Sequence, residues 1–214
     1  MRKILAIDCA HGDCSAALGD GDEIVSEIDE QMERGQAERL IPMVRDVLKK
    51  AGASFADVDA VAVTTGPGSF TGVRVGLAAA DGIALAAGLP MIGVSVLDVL
   101  AWKASRRFPE TGKLCLILET KRDDYYVQCF ENGVPTTEAA ALTAAEIKPF
   151  VESGHVCAGN GVDRFVGENG GVPVCPVKMP TAGDVALFAA SKQPRDAFPA
   201  PLYLREAEVT PCRK

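Results

Sequence analysis

Hydrophobic and polar positions change their spacing several times along the first half of the chain. KILAID and the two halves of CSAALGDGDEIVSEID predict three strands, and the last two are joined at Gly-Asp-Gly in a hairpin. From residue 36 to residue 51 apolar side chains recur at helical spacing, and Gly52 follows as a stop signal. A strand (VDAVAVTT), a glycine-rich loop, a helix over about residues 71–87, a strand (MIGV) and a helix capped by Ser95 complete this half.

The same order of elements recurs after a boundary near residues 108–112, where Phe, Pro and Gly cluster. KLCLILE and DYYVQCF predict paired strands, a third strand follows the Asn132-Gly133 turn, and a helix over residues 143–151 precedes the strand HVCAGN. A short helix from Val162, a strand near VPVCPV and a helix over residues 181–190 come next. Three strands followed by alternating helices indicate a mixed sheet with helices on both faces. We predict an α/β protein of two lobes, at residues 1–108 and 109–214.

Composition excludes several classes of protein. The net charge of −7 disfavours a chain that holds nucleic acid by neutralising phosphates, and the basic clusters (Lys103, Arg106 and Arg107; Lys121 and Arg122) are small. Seven cysteines without a Cys-x-x-Cys pair predict a reduced protein with neither a disulfide framework nor a zinc site. Gly and Pro interrupt the apolar runs, and MRKILAID reads as a strand, not a signal peptide. We expect a cytoplasmic protein that does not enter a membrane.

The glycine-rich stretch TTGPGSFTGVRVG lies between a predicted strand and a predicted helix, where phosphate-binding loops often occur. A Walker loop needs a Lys after its last glycine, but Val73 follows Gly72 here. The dinucleotide pattern needs a third glycine at position 71, which is Thr. Both phosphate-binding patterns therefore fail, although the start of the helix could still attract an anion.

The helix after this loop has small residues at spacings of three or four: Gly72, Gly76, Ala80, Ala84 and Ala87 or Gly88. Ala79, Gly82 and Ala86 widen this stripe. Glycine inside a helix costs about 0.5–1 kcal/mol relative to alanine, so close approach of a neighbouring element must offset that cost. Two interpretations remain open from the pattern. The stripe packs on the protein's own sheet, or it contacts another chain.

GPGSFTGVRVGLAAADGIA closely resembles the signature of the bacterial TsaB (YeaZ) family. ILAIDCAHGDCSAAL, AERLIPMVRDVLKKAG and DVDAVAVTTGPGSFTG resemble the family's first hairpin, first helix and approach to the signature. ETKRDDYYVQCF, AGNGVDRF, MPTAGDVALFAA and PLYLRE follow in the family's order, so the resemblance covers nearly the whole chain. It implies the two-lobed fold of the actin, sugar-kinase and heat-shock-chaperone superfamily, with ribonuclease-H-like lobes. It also implies kinship with glycoprotease-like (peptidase M22) proteins, including TsaD.

The resemblance implies a non-catalytic scaffold that binds the catalytic subunit TsaD. With the ATPase TsaE, this pair would support transfer of threonylcarbamoyl to the tRNA adenosine beside the anticodon, with tRNA bound only indirectly. A homodimer is expected when TsaD is absent. The helix of residues 36–51 and the helix after the signature are expected to form the contact, through Leu40, Met43, Val44, Val47, Gly72, Val73, Gly76, Ala79, Ala80 and Ile83. The signature loop comprises Gly66, Pro67, Gly68, Ser69, Phe70, Thr71, Gly72 and Arg74.

Catalytic relatives provide a check on whether this chain is an enzyme. Asp8 matches the position of a metal- and phosphate-binding Asp, but Cys9 and Ala10 replace the hydroxyl-bearing neighbours. The relatives' His-x-x-x-His metal pair is absent: His11 and His155 lie far apart, and we expect both at the surface or in turns. No catalytic residue or metal ligand is assigned, Asp8 is the one candidate for cofactor binding, and ATP or ADP is expected only at the interface with the partner. The alternative is an active nucleotide-dependent transferase or metalloprotease that uses Asp8 and residues 66–72.

Overall fold

A computed structural model describes residues 1–32, 34–120, 122–195 and 197–205. Its first half forms a mixed five-stranded sheet, sheet I, in the order β3-β2-β1-β4-β5. Strand β1 is antiparallel to β2 and parallel to β4, so the chain passes from a hairpin meander into strand–helix–strand crossovers. The elements are β1 (Lys3–Asp8), β2 (Cys14–Asp20), β3 (Glu23–Glu30), α1 (Gln36–Lys50), β4 (Ala60–Thr64), α2 (Phe70–Ala87), β5 (Met91–Val94) and α3 (Val96–Arg107).

The second half repeats this plan in a smaller sheet, sheet II. Its order is β10-β6-β7, and both β8 and β9 pair with the other edge of β7. The elements are β6 (Lys113–Glu119), β7 (Asp124–Glu131), β8 (Val134–Pro135), β9 (Ala140–Thr143), α4 (Ala144–Glu152), β10 (Val156–Ala158) and α5 (Val162–Asn169). The strand predicted near VPVCPV is reduced to a single bridge between Val174 and Cys157. The duplicated order predicted from the sequence is otherwise present.

The chain returns to sheet I after it has built sheet II. Helix α6 (Ala182–Ala189) packs its buried face on the side of sheet I that carries Ile4, Ala17 and Ala62. Its first turn is fixed by hydrogen bonds from Ala182 N to Ser15 Oγ (3.0 Å) and from Gly183 N to Glu27 Oε1 (2.8 Å). Residues 109–214 therefore do not all belong to the second sheet, because α6 completes the core of the first.

A buried ion pair joins α3 to α6. Lys103 Nζ lies 2.7 Å from Asp184 Oδ2 and donates to Met179 O at 3.0 Å. Lys103 is thus committed inside the protein, and it cannot form a basic patch with Arg106 and Arg107 as the sequence suggested. Lys121, from the other basic cluster, lies outside the described residues.

The cysteines act as small apolar core residues. All six that the structure describes are free and buried: Cys9, Cys14, Cys115, Cys129, Cys157 and Cys175. Cys212 lies outside the described residues.

Helix α2 is apolar around most of its circumference. By length and composition it could cross a membrane, with 18 residues and a mean hydropathy of 1.3. Val73, Leu77 and Ala80 on one side are buried against sheet I, as in the core helix of a globular protein. Its N-terminus is capped by Ser69, whose Oγ accepts a hydrogen bond from Gly72 N at 3.3 Å.

Candidate functional site: the signature loop and the groove between α1 and α2

The signature loop lies directly on the backbone of the turn between β1 and β2. Ser69 N donates to Ala10 O at 2.7 Å. A Cβ atom at position 68 would lie less than 3.0 Å from Ala10 O, and one at position 72 equally close to Cys9 O. Only glycine fits at these two positions, so the loop's glycines serve close packing of backbone on backbone.

The small-residue stripe of α2 faces sheet I. A Cβ atom at Gly76 would meet Val63 Cγ2 at 3.6 Å, and Ala80 and Ala84 are buried in the same core. Packing on the protein's own sheet is therefore correct for these three positions, whereas Ala87 at the end of the stripe is exposed, as are Gly82 and Ala86 beside it.

The predicted partner contact stays a prediction, and the burial of its residues limits which of them a partner could reach. Nine of its ten residues are buried in the core of this chain, and only Ala79 is half-exposed. Of the buried nine, Leu40 and Ile83 still line an exposed groove, so a bound chain could reach them there. The nine are Leu40, Met43, Val44, Val47, Gly72, Val73, Gly76, Ala80 and Ile83. The sequence pattern selected them because the most strongly apolar positions of α1 and α2 are those that the core itself uses.

The exposed sides of the same two helices form an apolar groove of about 720 Å³. Ile41 from α1 and Phe55 from a short 3-10 helix are 51% and 39% exposed along it. Leu40 and Ile83 are its buried floor, and every lining residue is apolar or glycine. The full lining is Ala37, Leu40, Ile41, Phe55, Val75, Ala78, Ala79, Gly82, Ile83, Ala86 and Ala87.

A cleft of about 610 Å³ adjoins the groove. It is lined by the turn after β1, by the first residues of α1 and α2, and by Glu119, Thr120 and Asn160 from the second half. Ala37 and Val75 line both the cleft and the groove. A molecule seated in the groove would therefore border the mouth of the cleft.

His11 is the titratable ring in the wall of the cleft. Burial lowers its pKa to about 4, against a smaller opposing effect of the Asp13 carboxylate. The imidazole is therefore neutral at pH 7. His155, expected at the surface or in a turn, is instead buried, with Nδ1 3.0 Å from both Ser153 Oγ and Phe150 O.

The two glycines of AGNGV also serve packing. Gly159 has φ of +114°, and a Cβ atom there would lie less than 3.0 Å from Ile117 O. Gly161 also lies close to Tyr125 and the backbone of β6, where a Cβ atom would meet Tyr125 Cδ1 at 3.0 Å. The turn is therefore shaped by its fit against β6.

Asp8 lies at the carboxyl end of β1 and is only 5% exposed. Thr64 Oγ1, at the end of β4, donates to Asp8 Oδ1, and Ala10 N donates to the same oxygen at 3.0 Å. Burial raises the pKa of Asp8, and these hydrogen bonds offset part of the rise. The observed contacts tie β1 to β4 and to the following turn, while a role in cofactor binding stays a prediction.

We expect the stability of the wild type relative to Asp8→Asn to fall as the pH rises from about 4 to about 7. A carboxyl group whose folded pKa is raised stabilises the fold fully only below its unfolded pKa, and this contribution is lost as the pH rises through the folded pKa. Asparagine keeps Oδ1 as an acceptor and removes the charge. Urea titrations across this pH range measure the difference in unfolding free energy. A difference that stays level or grows with pH would contradict the burial of Asp8.

Within residues 1–32, 34–120, 122–195 and 197–205, no three His, Cys, Asp or Glu side chains are grouped so that they could hold a metal ion. This region consists of a tightly packed loop, an apolar groove and an adjoining cleft.

Known proteins are similar to this chain over most of its length. The family model described as "TsaD: tRNA N6-adenosine threonylcarbamoyltransferase" matches residues 23–152. The chain is 37% identical to the "tRNA threonylcarbamoyladenosine biosynthesis protein TsaB" of Escherichia coli (strain K12), over 95% of its own length and 94% of that protein. The chain belongs to the TsaB family. The TsaB protein of Haemophilus influenzae is 42% identical over 58% of this chain and 51% of that protein.

Solved structures agree with membership of the TsaB family. YeaZ from Pseudomonas aeruginosa has a TM-score of 0.78 and 29% identity, covering 95% of this chain and 100% of that chain. Component A of (R)-2-hydroxyglutaryl-CoA dehydratase from Acidaminococcus fermentans, at 15% identity, shares the fold, with a TM-score of 0.57 over 90% of this chain and 99% of that chain. The predicted α/β class and two-lobed superfamily fold are confirmed.

Proposed function

We propose that this TsaB-family chain is a non-catalytic subunit of the assembly that installs threonylcarbamoyl on the tRNA adenosine beside the anticodon. It acts by binding a catalytic TsaD-family subunit through the groove between α1 and α2. The groove carries the proposal, because an exposed, wholly apolar surface of this kind is typical of an interaction site. Its small side chains at Ala78, Ala79 and Gly82 let helices of another chain approach closely.

The family comparison supports the choice of partner. The TsaD model matches residues 23–152, which include both helices of the groove. A TsaD-family subunit is therefore expected to present two helices in corresponding places, so that two helices from each subunit pack together. A second copy of this chain offers the same surface, and we propose a homodimer when the TsaD-family subunit is absent.

The adjoining cleft supports the proposal of a nucleotide at the subunit interface. The first turns of α1 and α2 both line it, and helix N-termini favour anionic groups. A partner in the groove would reach the cleft at Ala37 and Val75. We propose that ATP or ADP binds there only when the partner supplies the missing groups, with a TsaE-family ATPase as the third component.

An indirect role in tRNA binding fits the charge of the chain. Its net charge is −7, and Lys103 is engaged by Asp184. Phosphate contacts are therefore assigned to the other subunits. The proposed place of action is the cytoplasm.

We expect the isolated chain to release no phosphate from ATP and the complete assembly to lose tRNA modification when this chain is left out. The test combines the purified chain with the TsaD-family subunit, the TsaE-family ATPase and the separate synthase that makes the threonylcarbamoyl group, all from the same organism. Each component is omitted in turn, and modification of unmodified tRNA is measured. Steady phosphate release that Asp8→Ala abolishes would refute the non-catalytic role. Undiminished modification without this chain would refute the subunit role.

A further inference from the structure

Three side chains at the start of α2 and near the end of the described chain hold one another. The rings of Phe70 and Tyr203 lie 5.3 Å apart between centroids. The guanidinium carbon of Arg74 lies 3.7 Å from the centre of the Phe70 ring, and Arg74 Nε donates a hydrogen bond to Tyr203 Oη at 2.8 Å. We call Phe70, Arg74 and Tyr203 the arginine cluster. Each contact restricts the others, so the guanidinium plane has a fixed orientation.

Tyr203 is presented by a segment that is anchored at several points. Leu202 N donates to Thr65 O at 2.8 Å, immediately before the signature loop. Pro199 packs against the backbone of Gly93, where a Cβ atom would lie less than 3.0 Å from the proline ring. Arg205 pairs with Asp124 at the start of β7. The segment of residues 197–205 is therefore attached to both halves of the chain, and these contacts fix the position of Tyr203.

Among the described residues, no group forms a hydrogen bond or ion pair with the outer edge of the Arg74 guanidinium. No carboxylate of the described residues pairs with Arg74, and within the same part of the chain only its Nε has a hydrogen-bond partner. Phe70 and Tyr203 are each 43% exposed, so the cluster faces outward. An arginine held in this way is organised in advance to form two parallel hydrogen bonds with a planar anion.

The arginine cluster continues the apolar groove along α2. Ala78 lies one turn after Arg74 on the same exposed row and lines the groove. Further along that side Leu85 is 83% exposed. A subunit that covers the groove and Leu85 would therefore also cover Arg74 and exclude water from it.

We propose that Arg74 binds a carboxylate of the TsaD-family subunit and that Tyr203 is the residue that positions it. This inference rests on the proposed function and adds the charged anchor of the same interface. A protein carboxylate is favoured over an RNA phosphate because Arg74 stands without a basic cluster on α2, where the other exposed charge is Asp81. Arginine and tyrosine are also the side chains most often found as energetic anchors of protein interfaces.

Calorimetric titration of the purified TsaD-family subunit with variants of this chain tests the proposal. Arg74→Ala is expected to weaken binding about 30-fold or more, because it leaves the partner's carboxylate buried without its cation. Arg74→Lys keeps the charge but loses the planar fork, so it restores only part of the affinity. Tyr203→Phe is expected to weaken binding about 3-fold to 10-fold by freeing Arg74.

Two further readouts separate positioning from a structural effect. If Tyr203 acts through Arg74, Tyr203→Phe causes no further loss in the Arg74→Ala background. Binding by the wild type should weaken more steeply with rising salt than binding by Arg74→Ala. Circular dichroism and thermal unfolding of each variant check that the fold is retained.

The outcomes distinguish the proposal for Arg74 from the proposed function. If the wild type binds, Gly82→Arg in the groove does not and Arg74→Ala binds within about 2-fold of the wild type, Arg74 is not the anchor and the proposed function stands. If the wild type does not bind the TsaD-family subunit, both proposals fall. If Arg74→Ala leaves subunit affinity unchanged but lowers the assembly's affinity for tRNA in filter binding, the ligand is a phosphate and the carboxylate proposal is overturned.

Discussion

Gly82→Arg is expected to weaken binding of the TsaD-family subunit about 100-fold or more while leaving the isolated chain at least as stable as the wild type. Gly82 is exposed in the groove, and a Cβ atom there meets nothing within 4 Å. Replacing a glycine inside a helix removes a cost of about 0.5–1 kcal/mol. In a closed apolar interface, however, the new guanidinium would be buried without a partner. Calorimetric titration measures the affinity, and urea titration of the free chain measures the stability.

Gly167→Arg is the matched control for this experiment. Gly167 is also an exposed glycine inside a helix, in α5 of the second half, and a Cβ atom there meets nothing within 4 Å. The Gly167→Arg variant should bind the TsaD-family subunit with wild-type affinity. If Gly82→Arg binds as tightly as Gly167→Arg, the groove is not the contact surface. Sedimentation of the free variants applies the same comparison to the proposed homodimer.

Gly72→Ala is expected to destabilise the chain by roughly 3 kcal/mol or more. The added methyl group would lie less than 3.0 Å from Cys9 O, a backbone atom that cannot move without disturbing β1 and the turn after it. Either α2 must shift away from sheet I or the turn must distort, and both lose packing in the main core. Urea titration at a fixed protein concentration measures the loss, which avoids confusion with self-association.

The same substitution ten residues later in α2 should act in the opposite direction. Gly82→Ala adds its methyl group to open space, so the helix gains about 0.5–1 kcal/mol. If Gly72→Ala were as stable as the wild type, the loop's glycines would not be required by backbone packing. The signature would then need another explanation.

Local sequence signals were sufficient for most elements of the fold. Helix α1 was expected over residues 36–51 and runs over Gln36–Lys50, because its apolar residues share one face and Gly52 stops it. Ser95 was expected as a cap, and its Oγ accepts a hydrogen bond from Leu97 N at 3.2 Å. Caps and periodicity act within a few residues, so they can be recognised without knowledge of the fold.

The same signals indicated the two helices that form the groove but not which side of α2 is exposed. Its wall on α2 consists of Ala78, Ala79, Gly82 and Ala86, which hardly differ in hydrophobicity from the buried stripe on the opposite side. A helix that is apolar on all sides has no distinct hydrophobic face, so periodicity does not show which side packs on the core. Phe55, a large apolar side chain in an otherwise polar turn, was the one local signal that could have indicated the exposed side.

Contacts between segments that lie far apart in the chain could not be predicted from the sequence either. The hydrogen bond from Ala182 N to Ser15 Oγ joins residues 167 positions apart, and Leu202 contacts Thr65 across a similar separation. Nothing in the local pattern of α6 distinguishes a helix for sheet II from one for sheet I. Tertiary packing alone decides this placement.

Completion of sheet I by α6 has a consequence for synthesis of the chain on the ribosome. The apolar side of sheet I formed by Ile4, Ala17, Ala60 and Ala62 stays open to water until residues 182–189 have left the exit tunnel. The nascent N-terminal half therefore emerges with an apolar surface that Val99 and Trp102 of α3 cover only in part, and such a surface favours aggregation or chaperone binding. Final closure of the first lobe comes only when translation is nearly finished.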